Sequence, residues 1–169
     1  FYYSLSLTSV TIPDSVTHIS QKAFSCCFQL TSITLPSGLT AIESGTFDLC
    51  KSLTTIDIPD SVAAIADDAF IGCKALQSFT LSPNHPYFFL ADDALCRTAD
   101  STLLLYPNAR EPRTYRIPDG ITAISAYAFY DCDLLESVVI PDSITQIPER
   151  AFYGCSALAS VSLPDSLTE

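Results

Sequence analysis

Seven cysteines are the residues best able to do chemistry in this chain, as nucleophiles, metal ligands or disulfide partners. Their spacing narrows those options. Zinc sites draw on close Cys-x-x-Cys pairs, but the only close pair here is Cys26-Cys27. Cys27, Cys50 and Cys73 instead stand 23 residues apart, as do Cys132 and Cys155. An odd total cannot close completely into disulfides. The two histidines, His18 and His85, have no motif partner for a nucleophilic triad. With five glycines there is neither a nucleophile elbow nor a phosphate-cradling loop. Adjacent carboxylates at Asp67-Asp68 and Asp92-Asp93 read as solvated turns rather than acid/base pairs. The expectation is a non-enzymatic protein without cofactor or metal.

A second constellation is suited to binding. Four of the eight basic residues, Arg97, Arg110, Arg113 and Arg116, fall within twenty positions that carry only two carboxylates. That window is net positive in a chain of net charge −11. Tyr87, Phe88, Phe89 and Tyr106 lie nearby, and arginine beside aromatics is the composition of interface hot spots. Tyr87, Phe88, Phe89, Arg97, Tyr106, Arg110, Arg113 and Arg116 are therefore the candidate contact residues for a protein ligand. The competing expectation is that this region merely packs as a variant repeat. The overall negative charge argues against a nucleic-acid partner. No apolar run is long enough to cross a bilayer, and no signal peptide is visible. Of the 169 residues, 48% are apolar and 16% charged, which argues against disorder.

The elements that position these residues repeat every 23 positions. Phe1, Phe24, Phe47, Phe70, Phe129 and Phe152 precede the cysteine position by three, and Leu7, Leu30, Leu53, Leu76, Leu135 and Leu158 follow it by three. Apolar pairs such as Val10/Ile12, Ile33/Leu35 and Ile56/Ile58 come next, closed by Pro13, Pro36 and Pro59. Apolar residues two apart turn one side of a short strand inward, and proline ends it. Asp-Ser or Ser/Asp-Gly then makes a turn. A second apolar pair such as Val16/Ile19 returns along the opposite wall, and the small-Phe-x-x-Cys segment closes the coil, with one helical turn as the expected form. Such ladders in one phase specify a solenoid. The column cysteines are expected as free, buried thiols. Cys26 and Cys96, outside the phase, are expected to be the first to react with a thiol reagent.

The pattern Ala-Phe-x-x-Cys-x-x-Leu-x-x-Ile-x-Ile-Pro-x-Ser-Val-x-x-Ile resembles the BspA-like leucine-rich repeats of bacterial and protist surface proteins. The chain departs from the commonest leucine-rich repeat in carrying Ser15, Gly38, Ser61, Gly120, Ser143 and Ser166 where that repeat has Asn or Cys. The resemblance implies an α/β-type leucine-rich repeat solenoid, mainly β and right-handed, with about seven parallel rungs in a single domain over 1–169. It also implies cell-surface or secreted location, adhesion to a host or neighbouring-cell surface protein, and no membrane insertion. Homo-oligomerisation is the alternative role. From Leu76 to Leu135 is 59 residues, thirteen more than two repeats, which places a variant repeat with an insertion at about 82–111. Within it, Ala94–Arg97 and Thr102–Tyr106 can pair as a hairpin. Phe1 falls in mid-repeat and no Met is present, so the chain reads as a fragment of a longer solenoid.

Overall fold

In each repeat the Leu-x-x-apolar-x-apolar-Pro segment forms a short strand in the computed structural model, which describes residues 1–168. Glu169 lies outside the described residues. Seven such strands line one wall: β1 (Ser9–Thr11), β2 (Ser32–Thr34), β4 (Thr55–Asp57), β6 (Ser78–Thr80), β10 (Thr114–Arg116), β12 (Ser137–Val139) and β13 (Ser160–Ser162). β1 pairs with β2, β4 with β6, and β10 with β12 and then β13, all parallel and in register. Val10 stands opposite Ile33, Ile56 opposite Phe79, and Tyr115 opposite Val138, so equivalent repeat positions become neighbours. The middle residue of each strand points inward, and its Ser, Thr and charged flanks point out. The opposite wall holds the two-residue strands β3 (Ala41–Ile42), β5 (Ala64–Ile65) and β11 (Ala123–Ile124). The result is a mainly β parallel solenoid of about seven turns.

The small-Phe-x-x-Cys wall is not helical. Left-handed backbone recurs there at Lys22, Gly45, Tyr127 and Arg150, and again just before the cysteine position at Tyr3, Cys26, Leu49, Gly72, Asp131 and Gly154. A left-handed residue every fourth position stops a helix from propagating. The backbone donors instead alternate. The N–H groups of Lys22, Phe24 and Cys26 reach the carbonyls of Ser44, Thr46 and Asp48 on the next rung at 3.0, 3.0 and 2.8 Å. Those of Ala23, Ser25 and Cys27 close tight turns onto Ser20, Lys22 and Phe24. The expected helical turn is thus replaced by stacked β-turns.

Inside, like side chains stack. Phe1, Phe24, Phe47 and Phe70 lie face to face with centroids 5.3, 5.8 and 5.2 Å apart. The stack stops at Phe70 and a second one begins with Tyr106, Phe129 and Phe152. Each stack belongs to its own buried cluster. Turn hydroxyls tie rungs together from outside: Ser61, Ser143 and Ser166 Oγ donate to the carbonyls of Leu39, Ile121 and Ile144 at 2.7, 2.6 and 2.9 Å.

Candidate functional site

The break between the two stacks is built from residues that first keep the repeat phase and then leave it. His85 and Phe88 stand 23 positions after Val62 and Ile65, so the inward columns continue past Ser82. The His85 ring staples the segment down. Its Nδ1 accepts the N–H groups of Tyr87 and Phe88 at 3.3 and 3.2 Å, and Nε2 donates to the Pro59 carbonyl at 3.0 Å. Two acceptor contacts at Nδ1 fix the proton on Nε2.

Three antiparallel strands follow: β7 (Phe88–Ala91), β8 (Ala94–Arg97) and β9 (Thr102–Leu105). The expected hairpin is β8–β9; β7 is an additional strand, joined through a two-residue turn with both Asp92 and Asp93 left-handed. β9 then pairs in parallel with β11, giving the sheet order β11-β9-β8-β7. The meander inserts between the two buried clusters. Leu95, Leu104 and Leu105 pack with the first, and Cys96, Leu103 and Tyr106 with the second. Tyr106 sits 23 positions before Phe129, in the aromatic column, with ring centroids 5.3 Å apart. The phase has therefore resumed there, earlier than position 111.

The candidate contact residues divide by exposure. Phe88 and Tyr106 are buried, because both occupy inward columns, and are unavailable to a partner. Burial pushes the Tyr106 phenol up. Arg110 is also mostly covered, at 13% side-chain exposure: its guanidinium lies 5.9 and 5.7 Å from the rings of Tyr106 and Tyr115, with Nε 3.0 Å from Asp93. Tyr87 is exposed and Phe89 half-buried on the meander, while Arg113 and Arg116 are exposed at β10. The arginines do not form a free positive patch. Arg97 pairs with Asp100, Arg113 with Glu111 and Glu136, and Arg116 with Asp119. The Arg97 hydrogen bond holds the Asp100 carboxyl below its usual range. The structure thus joins Tyr106 to Arg110, and leaves Arg97 on the far hairpin apart from Arg113 and Arg116.

An open groove of about 490 Å³ escaped the sequence reading. It runs between Leu81–Pro83 and the successive residues Phe88, Phe89 and Leu90, with His85 and Thr98 at its sides. Leu90 is 38% exposed there. The register of His85 with Val62 is the signal that points to it: a histidine in an apolar column marks where the wall changes course.

The thiols also differ from expectation. Cys26 and Cys96 are buried, Cys26 beside Ser25 in the left-handed turn and Cys96 at the centre of the meander, whereas Cys155 is only partly covered. All seven thiols are free. The Sγ atoms of Cys27, Cys50, Cys73 and Cys155 each donate to the phenylalanine carbonyl 26 residues earlier, at 3.3, 3.2, 3.2 and 3.0 Å. Burial pushes the Cys50 and Cys96 thiols up to about 12, and Cys73 and Cys132 well above their usual range. Among the described residues, no three His, Cys, Asp or Glu side chains gather as a metal site requires. No helix of the described residues is long and apolar enough to cross a membrane.

A family model described as the BspA type leucine rich repeat region matches the chain in six copies, over residues 1–91 and 108–169. The unmatched stretch coincides with the body of the meander. Solved structures give the same architecture. The pneumococcal vaccine antigen PcpA superposes with a TM-score of 0.86 at 23% identity, over 95% of this chain and 40% of that one. A leucine rich cell surface protein from Faecalibacterium prausnitzii gives 0.67 at 26% identity, over 96% and 61%. A leucine-rich repeat protein from T. pallidum gives 0.52 at 29% identity, over 98% and 61%. The chain therefore spans about two fifths to three fifths of these solved chains. No curated protein is significantly similar to it in sequence.

Proposed function

This chain belongs to the BspA-type leucine-rich repeat family, and from that membership we propose that it recognises a protein ligand at a cell surface, with adhesion to a host or neighbouring-cell protein as its role. Domains of this class generally bind proteins, and their fold is typical of recognition rather than catalysis. The observation that carries the reading is the division of labour in each strand. The inward residue is spent on the core, which leaves a rigid outer row of Ser, Thr and Arg side chains that loses little entropy on binding. The phase break adds the larger side chains such a row lacks, with Tyr87, Phe89, Leu90 and Arg97 at the meander and Arg113 and Arg116 at β10 on the strand wall. The relative described as a cell surface protein supports the location.

Surface plasmon resonance against a panel of purified extracellular-matrix proteins tests this. At least one should bind, and the Arg113→Ala/Arg116→Ala double variant should bind about tenfold more weakly, the usual scale for a hot-spot loss. No binding across the panel contradicts the reading.

A further inference from the structure

Strand β7 ends its sheet, with β8 on one side and, among the described residues, no strand on the other. Its ladder identifies which backbone groups are used. The two-residue turn at Asp92-Asp93 makes Ala91 and Ala94 a hydrogen-bonded pair, and Thr98 N–H donates to the Tyr87 carbonyl at 2.9 Å. Residues 87, 89 and 91 therefore bond to β8, and Phe88 and Leu90 turn their backbone groups the other way. Phe88 N–H is taken by His85 Nδ1. That leaves the Leu90 N–H and the Leu90 carbonyl along an edge that opens on the 490 Å³ groove, Phe88 being buried. Edge strands are commonly protected by an inward charge, a proline or a bulge, and Phe-Phe-Leu-Ala has none of these between its ends.

We propose that β7 captures an extended, positively charged segment of a partner protein as an added strand. This rests on the protein-recognition reading above and names how that recognition is made. Leu90 supplies one donor and one acceptor, while apolar side chains of the incoming segment lie against Leu81, Pro83 and Leu90. Charge selects the occupant. The chain carries −11, and exposed Asp92 stands at the end of the edge, its neighbour Asp93 being paired with Arg110. A cationic segment is steered in, whereas a second copy of the chain meets like charge at the same place.

The test uses the whole chain, labelled with nitrogen-15, and a blocked Lys-Val-Lys-Val-Lys-Val peptide. Saturating peptide should slow hydrogen exchange at the Leu90 amide. Its fully N-methylated counterpart, with the same side chains and charge but no backbone donors, should bind about fivefold more weakly or worse. Leu90→Pro, which removes a donor that β8 does not use, should do the same with the circular dichroism unchanged. The methylated peptide decides the matter even if that variant misfolds. Unchanged Leu90 exchange, equal binding of both peptides, or no binding at millimolar peptide overturns the proposal. So does Leu90 protection that grows with protein concentration alone, which would place a second copy on the edge. A matrix protein that binds wild type and Leu90→Pro equally would leave recognition standing and remove strand addition from it. Peptide capture without any matrix binder would do the reverse.

Discussion

At Cys27, Cys50, Cys73 and Cys155, four of the five column cysteines, a thiol does what neither a larger apolar side chain nor alanine can do. It fits the tight turn wall and caps a carbonyl on the preceding rung, as Cys73 does for Phe47 at 3.2 Å. Position along the column was legible from the 23-residue step, but reactivity was not. Cys26 lies outside the phase and is nonetheless buried, its Sγ 3.7 Å from Ser25 Oγ within the stacked turn wall. Accessibility therefore orders the thiols. Native-state labelling with iodoacetamide, read by mass spectrometry, should modify Cys155 first and leave Cys26, Cys50, Cys73 and Cys96 slow. Faster reaction at Cys26 or Cys96 than at Cys155 would contradict this placement. Ionisation gives a second prediction. The folded Cys50 and Cys96 thiols titrate at about 12, whereas unfolded thiols ionise near 9. The raised folded values mean that their contribution is complete below about pH 9 and is lost as pH rises toward 12, at up to about 1.4 kcal/mol per thiol per pH unit. Urea midpoints under reducing conditions should be flat from pH 7 to 8.5 and fall steadily above 9. A midpoint that rises over that range would be the wrong sign.

The strands were the most legible element, because a two-residue alternation repeated in phase has one solution. The turn wall was not legible for a physical reason. Its left-handed positions carry Tyr3, Cys26, Leu49 and Asp131 as readily as glycine, so no residue type announces them. The stacked inter-rung hydrogen bonds hold those residues in a conformation that their own preferences disfavour. Where glycine does occur, the constraint is tighter. Gly72 has φ +71°, and a Cβ there would lie 2.6 Å from Leu49 Cδ2 on the preceding rung. Gly72→Ala should cost about 1–3 kcal/mol in urea denaturation. A change under about 0.5 kcal/mol would show that the turn wall relaxes freely. The arginine-rich window was visible as composition, but its ion pairs were not. Asp93 and Glu136 come from other turns and rungs, and only the folded coil brings them to Arg110 and Arg113.

For the whole molecule, the meander joins two stretches of solenoid whose aromatic stacks do not meet. Its strands supply both sides, with Leu104 buried in one cluster and Leu103 in the other. Lys74 also reaches across to Asp133 at 2.6 Å. Removing either leucine should therefore loosen both stretches. Leu103→Ala and Leu104→Ala are each expected to cost about 2–5 kcal/mol. Each should speed hydrogen exchange at Leu53 and at Val138 alike. Exchange that changes on one side alone would mean that the two stretches are energetically separate.

The central claim is that recognition is concentrated where the repeat phase breaks. Hydrogen–deuterium exchange of the chain, alone and saturated with a matrix protein that it binds, tests that claim most directly. The expected result is slowed exchange in residues 87–98 and at Arg113 and Arg116, with the turn wall around Lys22 and Gly45 unchanged. Protection confined to the turn wall, with no change between 87 and 116, would contradict it.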